Sequence, residues 1–130
     1  LGKYFSSLGV NVKVVDVMQD NPVNVLREIA QCDKILSSSL HGLIVADAFQ
    51  IPNRHIVFST LGQTVQEFLF KFDDYYSAFS DGRRQPIDAG EVVRQGPGIL
   101  HKTTAWGVRT KDRVGFAQKR LVESFPFLRR

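Results

Sequence analysis

The stretch Ile35-Leu36-Ser37-Ser38-Ser39-Leu40-His41-Gly42-Leu43-Ile44-Val45-Ala46-Asp47-Ala48-Phe49 constrains the fold more than any other part of the chain. Ile35–Ser37 is a short apolar run ending in hydroxyls, and Leu40–Phe49 is apolar nearly all round. A short apolar run, a tight turn and then an apolar helix read as a buried strand feeding a buried helix. A helix without a polar face calls for burial on both sides. In open α/β sheets, the turn at the carboxyl end of such a strand is where ligands are held.

The remaining segments read as scaffold. Lys3–Leu8 is a last helical turn, closed at Gly9 where a left-handed cap is easiest. The Val-rich alternation of Val10–Val17 predicts a strand. Asn21-Pro22 supplies an N-cap and a first-turn proline, and Val23, Leu26, Ile29 and Ala30 follow at helical spacing as far as Cys32. Pro52 ends the central helix, and Arg54–Phe58 is the third strand. Thr64 and Glu67 form a capping box for a helix whose stripe is Val65, Phe68, Leu69, Phe72, Tyr75, Tyr76 and Phe79. Gln66, Lys71, Asp73 and Asp74 form its solvated face, and Phe70 lies off the stripe, pointing to contact with another domain or chain. Glycines and prolines punctuate Ser80–Thr110, leaving a short strand near Pro86-Ile87 and a helical turn at Glu91–Arg94. A final helix runs from an Asp112 cap to Ser124, with Val114, Ala117, Leu121 and Phe125 inward and Pro126 as its stop. Alternating strands and helices make this an α/β fold with a parallel sheet. Residues 1–130 form a single domain, and the helix tail at Leu1–Leu8 is read as the entry to the C-terminal domain of a larger protein.

Composition narrows the function classes. The net charge of +4 favours anionic partners only mildly. A single cysteine, Cys32, permits no intrachain disulfide and no cysteine-based metal cluster, which fits a reducing cytoplasm. No apolar run approaches the roughly 20 residues of a bilayer span, and no secretory signal opens the chain. Lys111, Arg113, Lys119, Arg120, Arg129 and Arg130 make the C-terminal region basic. They lack the interleaved aromatics of a nucleic-acid platform, so nucleic acid is not expected; a solvated helix drawn to an anionic membrane surface fits them better.

The Ser37–Gly42 turn offers the richest chemistry. A helix N-terminus presents unpaired N–H groups and partial positive charge. Ser37, Ser38 and Ser39 can each donate to a phosphate or carboxylate oxygen, and His41 can hold or move a proton near neutral pH. Gly42 removes bulk where a ligand would approach. The same residues also suit a plain Ser-capped helix whose His41 bonds a carbonyl. Elsewhere, His55 reads as an edge or surface histidine, His101 as part of a solvated loop, and Cys32 as a packed thiol. The histidines lack the carboxylate spacing of a metal site. The Gly-Ser-Gly pattern of a hydrolase elbow is absent.

Ser37–Phe49, followed by Ile51-Pro52-Asn53, resembles the signature of the polysaccharide pyruvyl transferase family, and Lys71-Phe72-Asp73-Asp74-Tyr75-Tyr76-Ser77 is similar to that family's next block. The resemblance implies two Rossmann-like domains facing a cleft, as in GT-B glycosyltransferases, with this chain as most of the C-terminal one. It implies transfer of pyruvate from phosphoenolpyruvate to the hydroxyls of a saccharide or lipid-linked saccharide; no cofactor or metal is expected. The reaction would belong to cytoplasmic exopolysaccharide or cell-wall polymer synthesis at the inner face of the membrane. The family's Leu-His motif maps onto Leu40 and His41. Some members carry arginine where this chain has Ser39. Two other readings stay open: the nucleotide-sugar-binding half of a GT-B glycosyltransferase, and an inactive anion-binding or assembly domain.

Overall fold

The computed structural model describes residues 2–7, 9, 11–58, 65–79, 85–96, 98–99 and 111–124. The elements are α1 (Gly2–Ser7), α2 (Pro22–Ala30), β1 (Ile35–Ser37), α3 (Leu40–Ala48), β2 (Asn53–Val57), α4 (Val65–Ser77), β3 (Ile87–Asp88), α5 (Ala89–Gln95) and α6 (Lys111–Ser124). The strands form one parallel sheet in the order β1-β2-β3. Ile35 pairs with Asn53 and Ser37 with His55, while Ile56 pairs with Ile87. The expected α/β class and parallel sheet are therefore observed.

Side chains alternate across this sheet, and the two faces carry different cores. Leu36 and Ile87 meet Val92 of α5 on one side. On the other, Ile35 packs with Ile29, Ala46 and Ile51, while Leu43 of α3 meets Phe72 and Tyr76 of α4. Local chemistry sets the helix ends. Asn21 accepts from Val23 N at 3.0 Å and Pro22 opens α2; Asp88 accepts from Glu91 N at 3.1 Å to cap α5. Gly9 follows α1 with φ +73° and donates to Ser6 O at 3.1 Å.

The end of α3 is less orthodox. Gln50 N bonds Asp47 O at 3.0 Å and Ile51 N bonds Ala46 O at 2.8 Å, the paired bonds of a Schellman cap. Its left-handed residue is Gln50, at φ 60°, where glycine is usual.

Several expectations need correction. The predicted strand at Val10–Val17 forms no strand over its described residues 11–17. Val12 packs against the Ile87–Val92 cluster and Val15 against the Ile29–Ala46–Ile51 cluster, on opposite faces of the sheet. The segment thus borders β1 with a strand's alternation but without a strand's ladder, and an Asx turn from Asp16 Oδ1 to Met18 N at 2.9 Å closes it. Alternation reports burial, not pairing. In α2, only Ile29 of the predicted stripe is buried; Val23, Leu26 and Ala30 are exposed, and Val25 is half-buried instead. Nor is α3 covered on both sides. His41, Ile44, Ala48 and Phe49 are exposed, so uniform apolarity does not ensure burial. Asp112 lies inside the first turn of α6 rather than capping it; Val114 and Ala117 are half-buried as expected. Thr64, His101 and Phe125 lie outside the described residues.

Candidate functional site

The turn between β1 and α3 is built by its own first serine. Ser37 Oγ donates to Ser39 O at 2.9 Å and accepts from Ser39 N at 3.1 Å. Both capacities of that hydroxyl are used to shape the backbone. Gly42 is buried one helical turn later, and a Cβ there would run into Ser37 Oγ and sit 3.1 Å from Ser37 Cβ. The space that Gly42 leaves is therefore taken by Ser37, which is a different reason for glycine from the ligand approach expected of it.

The remaining residues of the turn divide into wall and face. Leu40 is half-buried against Leu43, Phe72 and Tyr76, so it anchors the helix start from below. Ser38 and His41 are exposed and Ser39 is half-buried. Ser39 is the N-cap residue of α3 with extended backbone (φ −102°, ψ 136°), yet its side chain makes no cap bond. The first intrahelical bond is Leu43 N to Ser39 O at 3.3 Å. The amides of Leu40, His41 and Gly42 precede it, where helix geometry leaves N–H groups without intrahelical acceptors. At the carboxyl end of a parallel strand, the arrangement combines a helix N-terminus, two hydroxyls beyond the one that shapes the turn, and an accessible imidazole. It can bind an oxyanion and exchange a proton with what it binds.

Two buried polar residues on β2 were not legible as such. His55, expected at an edge or surface, is 4% exposed and stacks on Phe72 with ring centroids 3.9 Å apart and planes 13° from parallel. Asn53 is equally buried. Its Nδ2 donates to Asp47 Oδ1 at 2.7 Å, and Tyr75 Oη donates to Asp47 Oδ2 at 2.8 Å. A lone carboxylate in an otherwise apolar helix was the available signal, since such a group stays buried only with partners. Lys71, Asp73 and Asp74 are exposed, as is Phe70, consistent with their placement off the apolar stripe. Cys32 is half-buried and its thiol donates to Glu28 O at 3.4 Å, the packed role expected of it.

Residues 4–59, which include the whole turn, match the family model for polysaccharide pyruvyl transferase. Over this segment the chain is similar to the polysaccharide pyruvyl transferases. The resemblance carried by Ser37–Phe49 is thereby borne out, and a pyruvyl transferase family is a family of transferases. Among curated proteins, an uncharacterized protein of Acanthamoeba polyphaga mimivirus is 35% identical over 74 residues. That alignment covers 57% of this chain and 25% of the viral protein, so the chain spans only a fraction of that relative's length. No solved structure matches. Within the matched segment, Asp47 is satisfied partly from outside it, because its donor Tyr75 lies beyond residue 59.

Proposed function

We propose that this chain is the C-terminal domain of a two-domain, GT-B-like enzyme that moves pyruvate from phosphoenolpyruvate to two hydroxyls of a saccharide, forming a ketal. One observation carries the reading. Within the family segment, an exposed His41 sits in the first turn of α3, at the carboxyl edge of a parallel sheet, beside hydroxyls not consumed by capping.

The chemistry gives each group a distinct role. His41 protonates the methylene carbon of the enol, turning it into a methyl group and leaving an oxocarbenium-like centre at the neighbouring carbon. A saccharide hydroxyl attacks that centre and gives up its proton. The carbon–oxygen bond to phosphate then breaks, inorganic phosphate leaves, and a second hydroxyl closes the ketal with loss of its own proton. A positioned acid/base of this kind contributes about 10²–10⁴-fold. Ser38, Ser39 and the first amides of α3 hold the phosphate or carboxylate and stabilise developing charge. Ser37, Leu40 and Gly42 shape the turn. Because Ser39 stands where some family members have arginine, the cationic partner of the phosphate comes from another segment or from the N-terminal domain. The acceptor is a saccharide or lipid-linked saccharide, and the reaction belongs to the cytoplasm near the membrane surface. Among the described residues no helix is long and apolar enough to cross a membrane.

A transfer assay on the complete protein with phosphoenolpyruvate and saccharide acceptors, reading phosphate release and ketal formation, tests this function. His41→Ala is expected to remove about 10²–10⁴-fold of the rate. Full transfer by this variant would overturn the assignment. Calorimetric binding of a nucleotide-sugar in place of phosphoenolpyruvate would point instead to a glycosyltransferase.

A further inference from the structure

The side of β2 that faces α3 and α4 is polar at two positions where a core would ordinarily be aliphatic. Asn53 and His55 alternate onto that side with the period of a strand, and each is 4% exposed. The role of Asn53 is visible, since through Asp47 it fixes the C-terminal end of α3. His55 stands at the opposite end of the helix. It pairs in register with Ser37, and paired residues of parallel strands share a face, so the imidazole lies beside the residue whose hydroxyl shapes the turn. The ring is also stacked on Phe72. Phe72 in turn belongs to the cluster with Leu43 and Leu40, which flank His41 in the first turn of α3.

We infer that His55 is a positioning residue for the turn that carries Ser39 and His41. β2 grips α3 at both ends, with Asn53 at the far end and His55 at the reacting end. The inference rests on the reading of this turn as the reaction site. His55 is too buried to touch a substrate; it acts through Ser37 on one side and through Phe72 on the other. A phenyl ring would keep the stack on Phe72 without the desolvation cost of an imidazole, so the positioning is assigned to the ring's polar atoms rather than to its volume.

The experiment compares His55→Phe and His55→Gln with wild type in the complete protein. Phenylalanine keeps the stack and the volume; glutamine keeps polar atoms. For His55→Phe, kcat is expected to fall at least about tenfold, because ångström-scale misplacement of a catalytic group costs up to about 10²-fold. KM for phosphoenolpyruvate and the thermal midpoint stay near wild type, and His55→Gln recovers part of kcat. A second readout does not depend on turnover: the His41 imidazole resonance, assigned by its disappearance in His41→Ala, shifts in His55→Phe. Unchanged kcat and an unmoved His41 resonance would overturn the inference. So would parallel loss of kcat and thermal midpoint in both variants, which marks simple packing. If wild type transfers no pyruvate, the functional reading falls while the His41 resonance still decides whether His55 positions the turn.

Discussion

Ser37 Oγ occupies the place into which a side chain at Gly42 would project. The strand end and the first helical turn therefore specify each other's residue type. Gly42→Ala is expected to destabilise the chain by about 1–3 kcal/mol, the usual range for overpacking a filled site. Adding Ser37→Ala removes the clashing oxygen but leaves Cβ 3.1 Å away, so the double variant should recover only part of the loss. Denaturant titration of the two single variants and the double variant checks this; strict additivity would show that the two residues do not share the space.

Tyr75→Phe removes a donor to the buried Asp47 carboxylate, which Asn53 also holds. A buried acceptor deprived of its partner costs about 1–3 kcal/mol. Asn53→Ala should cost a similar amount, and the pair should be non-additive because both donors serve one carboxylate. Urea melts of the three proteins measure both effects. Transfer activity in Tyr75→Phe should follow the folded fraction, since Tyr75 bonds the end of α3 remote from His41.

Gln50→Gly should raise stability. A non-glycine residue in the left-handed region carries a strain of roughly 1–2 kcal/mol, and glycine returns part of that as unfolded-state entropy. The expected net gain is about 0.5–1 kcal/mol, read as a higher denaturation midpoint with an unchanged slope. A fall in stability would mean that the Gln50 side chain contributes more than its backbone costs.

Ser39→Arg places a cation at the helix N-terminus where the proposed phosphate sits. A charge-assisted hydrogen bond contributes about 1.5–3 kcal/mol, so KM for phosphoenolpyruvate should drop by roughly tenfold or more. An unchanged or raised KM would show that a basic residue from elsewhere already fills that role.

Elements governed by adjacent residues are legible in one dimension. Asn21-Pro22 and Gly9 act within a few residues of themselves, so their caps appear where the sequence places them. The strand–turn–helix at Ser37–Gly42 is legible for the same reason. What is not legible depends on neighbours far along the chain. Val12 and Val15 alternate like a strand, yet pairing is a property of two segments. Ile44 and Phe49 look like core residues, but their exposure depends on what packs against α3. His55 is flanked by Arg54 and Ile56 in sequence, and nothing local announces Phe72 stacked on its ring.

The bond from Tyr75 to Asp47 spans 28 residues and leaves the family segment, which ends at residue 59. The boundary of the recognisable sequence is thus not the boundary of the cooperative folding unit. A fragment cut after β2 would keep the Ser37–Gly42 turn and its histidine while stripping Asp47 of a donor and exposing the face of Leu43 that Phe72 covers. Shuffling this turn into another scaffold therefore requires α4 to travel with it, as well as α2, whose Ile29 packs on Ala46 and Ile51.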